Sequence, residues 1–168
     1  MKETIKHQTV ETKEREIIFT RVFNAPRKLV FETYSTCEHL INWWGPRSWP
    51  LSYCQIDFKP GGTWHYCMSG PNDGDESWGL AKFKKIDEPE KIIYQDYFSD
   101  KDGNINTEMP AFDTVITFDS VDSKTKITVI SKVGSKEEVE KLVEMGMIEG
   151  FTETWDRLEE HLEDIQES

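Results

Sequence analysis

The sequence lacks most of the features that announce a particular chemistry. It has three cysteines, Cys37, Cys54 and Cys67. They are odd in number and without C-x-x-C spacing, which argues against a disulfide framework and predicts reduced thiols in a cytoplasm. No apolar run approaches the roughly 20 residues that span a bilayer. The opening "MKETIKHQTVETKERE" has no apolar signal-peptide core, and residues 1–14 read as a polar, mobile tail. Positive charge is scarce: 20 Lys and Arg stand against 32 Asp and Glu, a net charge of −12. With no basic stripe, such a surface repels phosphate backbones, so nucleic acid and anionic membrane are not expected partners. His7, His39, His65 and His161 are scattered, with no H-E-x-x-H and no Cys/His ligand spacing, so no metal site is expected. G-x-S-x-G, P-loop and G-x-G-x-x-G patterns are missing, and no catalytic residue and no cofactor are assigned. "GPNDGDE" holds Asp73, Asp75 and Glu76 but not the full calcium-loop pattern, and reads as an acidic turn.

Aromatics, in contrast, make up 12% of the chain, which with this length predicts one folded domain, residues 15–166, with a real core. "NWWGPRSWP" places Trp43, Trp44 and Trp49 in a stretch that Gly45, Pro46 and Pro50 make unfit for helix or central strand. Three exposed indoles would form about the largest apolar patch a soluble monomer shows. The loop therefore either closes over an interior or meets another molecule.

Along the chain, Arg15–Phe23 reads as a strand. A short helix follows, capped at Asn24 or Ala25 with Pro26 in its first turn. Thr36 caps a second, "CEHLINWW", which Gly45-Pro46 ends. Leu51–Phe58 and Thr63–Met68 form a hairpin through "KPGG". Their apolar sets share a face if Phe58 lies opposite Trp64. That register puts Cys54 opposite Met68, turns Cys67 and His65 outward and leaves Cys54 and Cys67 unbonded. Ser77–Ile86, Lys91–Phe98, Phe112–Val121 and Lys124–Val133 continue the hairpins, with polar Ser99–Ala111 as a flap or hairpin tip. Ser135-Lys136-Glu137-Glu138 is a capping box opening a proline-free helix of about 30 residues, to about Gln166. Its apolar face rotates by roughly 120°. Val139, Leu142, Val143, Gly146 and Gly150 form the first half, and Phe151, Trp155, Leu158, Leu162 and Ile165 the second. Gly146 and Gly150 are expected to let the helix backbone approach another element closely. The fold class is α+β: an antiparallel sheet with one long helix on its concave face and two short helices closing an end.

"RVFNAPRKLVFETYSTCEHLINWWGP", "CQIDFKPGGTWHYCM" and "EMGMIEGFTETWDRLEEHL" resemble the bacterial and archaeal relatives of the activator of the ninety-kilodalton heat-shock protein's ATPase. That family lies within the START-related, birch-pollen-allergen-like superfamily. The resemblance covers about Arg15 to Glu163 and implies a helix-grip fold, a curved sheet wrapped on the C-terminal helix with a cavity between. Thr36-Cys37 departs from the aspartate-proline of many relatives. The additional N-terminal domain of the eukaryotic members has no counterpart here.

Small side chains on the first half of the long helix leave volume against the sheet. Trp43, Trp44, Trp64, Tyr66, Trp78, Tyr94, Met145 and Met147 are the expected lining, with the mouth near Trp43–Trp49 and Ser99–Ala111. Rings and thioethers suit a flat or flexible apolar small molecule. Three functions stay open: a binding protein for a lipid-like or polyketide-like ligand; a chaperone-cofactor-like interaction module in a stress response, as the resemblance implies; and an enzyme acting on such a ligand, with Asp57 or Glu149 as candidate base. Partner and oligomeric state are left open.

Overall fold

The computed structural model of the chain describes residues 2–5, as backbone, and 8–167; His7 lies outside them. Nine strands form a single antiparallel sheet in the order β1-β2-β3-β9-β8-β7-β6-β5-β4. They are β1 (Lys2–Ile5), β2 (Gln8–Lys13), β3 (Glu16–Phe23), β4 (Leu51–Ile56), β5 (Thr63–Ser69), β6 (Glu76–Asp87), β7 (Lys91–Ser99), β8 (Phe112–Val121) and β9 (Lys124–Lys132). The helices are α1 (Arg27–Glu32) and α2 (Cys37–Trp43), between β3 and β4, then α3 (Lys136–Glu144) and α4 (Met147–Glu167). Every connection from β4 to β9 is a hairpin, so neighbours in sequence pair. The chain leaves β3 in mid-sheet, crosses through α1 and α2, and restarts at the far edge. This is the helix-grip arrangement.

Period-two burial decides which face is concave. Ile17, Phe19, Arg21 and Phe23 of β3, Ile127 and Val129 of β9, and Ile116 and Phe118 of β8 are all buried. Phe19 and Phe23 meet α4, where Trp155 stacks edge-on to Phe23 at 5.4 Å and Phe151 lies 4.2 Å from Phe19, and Phe118 meets Phe31 and Tyr34 of the crossover. Trp155 is fully buried and its indole N–H donates to the Tyr34 hydroxyl at 3.1 Å. A buried ring nitrogen is thus satisfied, and the crossover is locked onto α4.

Several sequence expectations need correction. Residues 8–13 are not a tail. Gln8 accepts a hydrogen bond from Arg21 Nε and donates to Thr152, both at 2.8 Å, while Val10 is buried beside them. Arg21 is itself buried and ion-paired with Asp156 at 2.9 Å. A buried guanidinium needs every donor engaged, and β2 supplies a partner that its polar sequence concealed.

The expected helix of about 30 residues is two helices. Ser135 caps α3 as foreseen, its hydroxyl accepting from the Glu138 N–H at 3.1 Å. α3 then stops at Met145-Gly146, where Gly146 has φ +92°, a left-handed conformation that glycine adopts without steric cost. Nothing lies within 4 Å of a Cβ built at Gly146, whereas one at Gly150 would meet Pro46 at 3.4 Å. Gly150 therefore makes only an ordinary contact with the Pro46 ring, not the close approach expected, and Gly146 is a break.

The β4–β5 register is two residues from the expectation: Ile56, not Phe58, pairs with Trp64, and Cys54 pairs with Tyr66. A two-residue slip preserves the faces. A bulge between Leu51 and Tyr53 brings Leu51 opposite Met68. Cys54 is also not a free thiol. It forms a disulfide with Cys37, their Cα atoms 5.8 Å apart, because α2 packs its first turn on β4. Cys67 is free and buried, so Cys54 and Cys67 are unbonded as expected. At the first short helix, Pro26 occupies the N-cap position with no side-chain cap. Thr36 does cap α2, accepting from the His39 N–H.

Candidate functional site

The rotated apolar stripe leaves a cavity of about 290 Å³. Its floor is the concave face of β5, β7 and β8, through Tyr66, Met68, Phe98 and Phe112. Its roof is the α3–α4 turn and first turns of α4: Leu142, Met145, Met147, Gly150 and Phe151. Trp44, Gly45 and Pro46 close one side. Met145 is 59% exposed and stands at the rim, a flexible thioether where the helix breaks.

The loop of tryptophans is held in place from α4. Arg157 donates to the carbonyls of Asn42, Trp44 and Gly45 at 3.1, 3.2 and 2.9 Å. These carbonyls lie at the C-terminus of α2 and would otherwise lack partners. Arg47 adds a bidentate pair to Glu160. Gly45, with φ +98°, turns the chain so that Trp44 faces inward. A Cβ there would also crowd Met68 Sδ at 3.1 Å.

Four of the eight expected lining residues meet at the cavity: Trp44, Tyr66, Met145 and Met147. The other four do not border it. Trp43 is fully buried, donates to the Thr33 carbonyl at 3.0 Å and backs Trp44 at 5.4 Å. Trp64 stands behind the wall, 4.7 Å from Trp44 and 4.4 Å from Tyr66. Tyr94 is buried against Phe83. Trp78 lies at the margin of an adjoining recess, its ring against Tyr53 and His65 on the outer face of the sheet. Period two explains Trp78: Gly79 and Ala81 take the inward positions of β6 and Trp78 alternates with them. Trp49 is half-buried. Ser99–Ala111 does not border the cavity. Its start is an ordered turn in which Asp100 accepts from the Asp102 and Asn104 N–H groups, both at 2.9 Å. Two of the scattered histidines meet, His39 Nδ1 lying 2.9 Å from His161 Nε2 across α2 and α4.

The recess, about 130 Å³, shares Tyr66, Met68, Phe98 and Phe112 with the cavity and is also bordered by Asp96, a residue that is half-buried. Burial pushes the Asp96 carboxyl up to about 7, opposed by hydrogen bonds from Tyr66 and from the Tyr97 N–H. The Tyr66 hydroxyl donates to both carboxylate oxygens, each at 3.1 Å. No ion pair reaches Asp96 among the described residues. Tyr66 crosses β6 at Gly79, where a Cβ would overlap the Tyr66 ring and hydroxyl. The expected base candidates are elsewhere: Asp57 and Glu149 are both exposed. Asp96 went unnoticed although "KIIYQDYFS" carried the signal, since its alternation puts Asp96 on the face of Ile92, Tyr94 and Phe98. Burial also raises the Tyr66 and Tyr94 phenols well above their ordinary value, so both stay neutral. One wall atom stands out: the Trp44 indole nitrogen is buried with no hydrogen-bond partner among the described residues.

Solved structures share the fold. A protein from Arthrobacter aurescens superposes with a TM-score of 0.85 at 29% identity, over 92% of this chain and 91% of that one. A Mycobacterium smegmatis protein gives 0.82 at 30% identity, over 96% and 97%. A Staphylococcus epidermidis protein gives 0.79 at 30%, over 92% and 93%. No curated protein matches the chain. The family model for "Activator of Hsp90 ATPase homolog 1-like protein" matches residues 24–163, the span from the crossover to α4 that builds the cavity, and the chain belongs to that family, within the START-related, birch-pollen-allergen-like superfamily.

Proposed function

We propose that the chain is a small-molecule binding protein whose cavity takes a lipid-like or polyketide-like apolar ligand. Ligand binding is known for this fold. The observation that carries the reading is the cavity of about 290 Å³ between the α3–α4 turn and the sheet, lined by rings and thioethers. Its size is at the lower end for small-molecule sites, which run to roughly 300–1,000 Å³. The rim side chain is methionine, which repacks readily around different shapes. Titration with single-chain lipids and flat aromatic polyketides, followed by amide chemical shifts, tests it. Binding should shift the amides of Tyr66, Phe98 and Met147. Met145→Glu should weaken binding about tenfold or more by placing a charge at the apolar rim, and Trp155→Ala should weaken it less once stability is matched. Unchanged spectra across the series would overturn the reading and advance the chaperone-cofactor-like module that the family suggests.

A second reading has an observation of its own. A carboxyl pushed up to about 7 beside a phenol suits proton transfer near neutral pH. An enzyme acting on the bound ligand would lose turnover on Asp96→Asn even at saturating ligand.

A further inference from the structure

We infer that the recess adjoining the cavity is an acceptor subsite, formed by the Asp96 carboxylate beside Tyr66, which selects apolar ligands bearing a hydroxyl or ammonium group and rejects those bearing a carboxylate. The inference rests on the reading of the cavity as a ligand site and adds which end group it takes.

A carboxylate offers about four acceptor positions. Asp96 has one side-chain donor, the Tyr66 hydroxyl, shared between both oxygens at 3.1 Å, and one backbone donor, the Tyr97 N–H. Acceptor capacity therefore remains, and the residue borders the recess that continues the cavity. No cation meets it among the described residues. A ligand hydroxyl or ammonium would engage that free capacity, and charge-assisted hydrogen bonds are the strong ones. A ligand carboxylate at the same place would set two like charges together in a half-buried recess.

Gly79 makes the subsite possible. Only a residue without a side chain lets the Tyr66 ring lie across β6 to reach Asp96. The Trp44 and Tyr66 rings, edge to face with centroids 5.9 Å apart, both border the space that leads there, which sets an apolar wall behind the donor.

The test uses four probes on one bicyclic ring: naphthalene, 2-naphthol, 2-naphthylmethylammonium and 2-naphthoate. Affinities are measured by isothermal titration calorimetry at about pH 8, where Asp96 is ionised. The naphthol and the ammonium should bind about tenfold tighter than naphthalene, and naphthoate weakest. In Asp96→Asn the ammonium should lose its advantage and naphthoate should gain about tenfold, whereas Tyr66→Phe should keep the wild-type order. Far-UV circular dichroism and melting confirm that each variant folds; if Asp96→Asn does not fold, the wild-type order decides. Binding of all four without that order, or an order unchanged in folded Asp96→Asn, overturns the acceptor subsite and leaves the cavity reading standing. No binding by any probe overturns both.

Discussion

Asp96 is held by a one-atom difference on the neighbouring strand. Gly79→Ala would drive a methyl into the Tyr66 ring, and the hydroxyl would leave the carboxylate. Overpacking of this kind typically costs about 1–3 kcal/mol, readable by urea denaturation, with a matching change in the Tyr66 side-chain resonances. The pH dependence of Asp96 has a definite sign. Burial pushes its carboxyl from the ordinary 3.8 up to about 7 in the folded state, so between those limits the folded state binds a proton that the unfolded chain has released. Stability from this group therefore falls as pH rises from about 4 to about 7, and the loss is complete above. The groups facing it, Tyr66 from β5 and Tyr94 from its own strand, stay neutral throughout. Asp96→Asn should remove that slope, about 1–2 kcal/mol after allowing for partial solvation. Equal slopes in wild type and variant would contradict the burial of this carboxylate.

At the scale of elements, the helix pair shows what patterning can and cannot specify. The Ser135 cap, the rotating stripe and the freedom from proline were all legible. The break was not, because a glycine in a helical pattern reads equally as a tolerated residue, a close approach or a left-handed stop. Gly146 took the third meaning, while Gly150, one turn on, meets only the Pro46 ring at ordinary contact distance. Gly146→Ala should cost about 1 kcal/mol by placing a Cβ at φ +92°. A continuous helix there would instead make alanine stabilising by roughly the same amount. The thermal midpoints of the two proteins decide between them. The strands were legible where one face was apolar, as in β3, β8 and β9. β2 was hidden because the inward position at Gln8 is polar, and only the buried Arg21 across the pair makes glutamine the right residue there. The β4–β5 register slipped by two because alternation fixes faces and leaves even shifts undetermined.

For the whole molecule, strand order, crossover and grip followed from hairpin turns, a capped C-terminal helix and the resemblance of three segments to one family. The cavity was legible as spare volume, and half its expected lining is at the wall. What failed depends on contacts between distant parts: Tyr66 over Gly79 to Asp96, Gln8 on Arg21, and Cys37 beside Cys54. The last has a measurable effect. A bridge over 17 residues is worth about 3 kcal/mol through loop closure, so a reductant or Cys37→Ser should lower stability by up to that amount in denaturant titrations. The bridge also bears on behaviour in crowded solution. β4 is the last strand of the sheet, and among the described residues its outer backbone groups have no further strand to meet. Its shortness and its bulge at Ser52 make it a poor template for another chain's strand, and the bond to α2 keeps it from straightening. Once reduced, β4 can flatten and offer its free edge, so strand-to-strand self-association on long incubation should begin there.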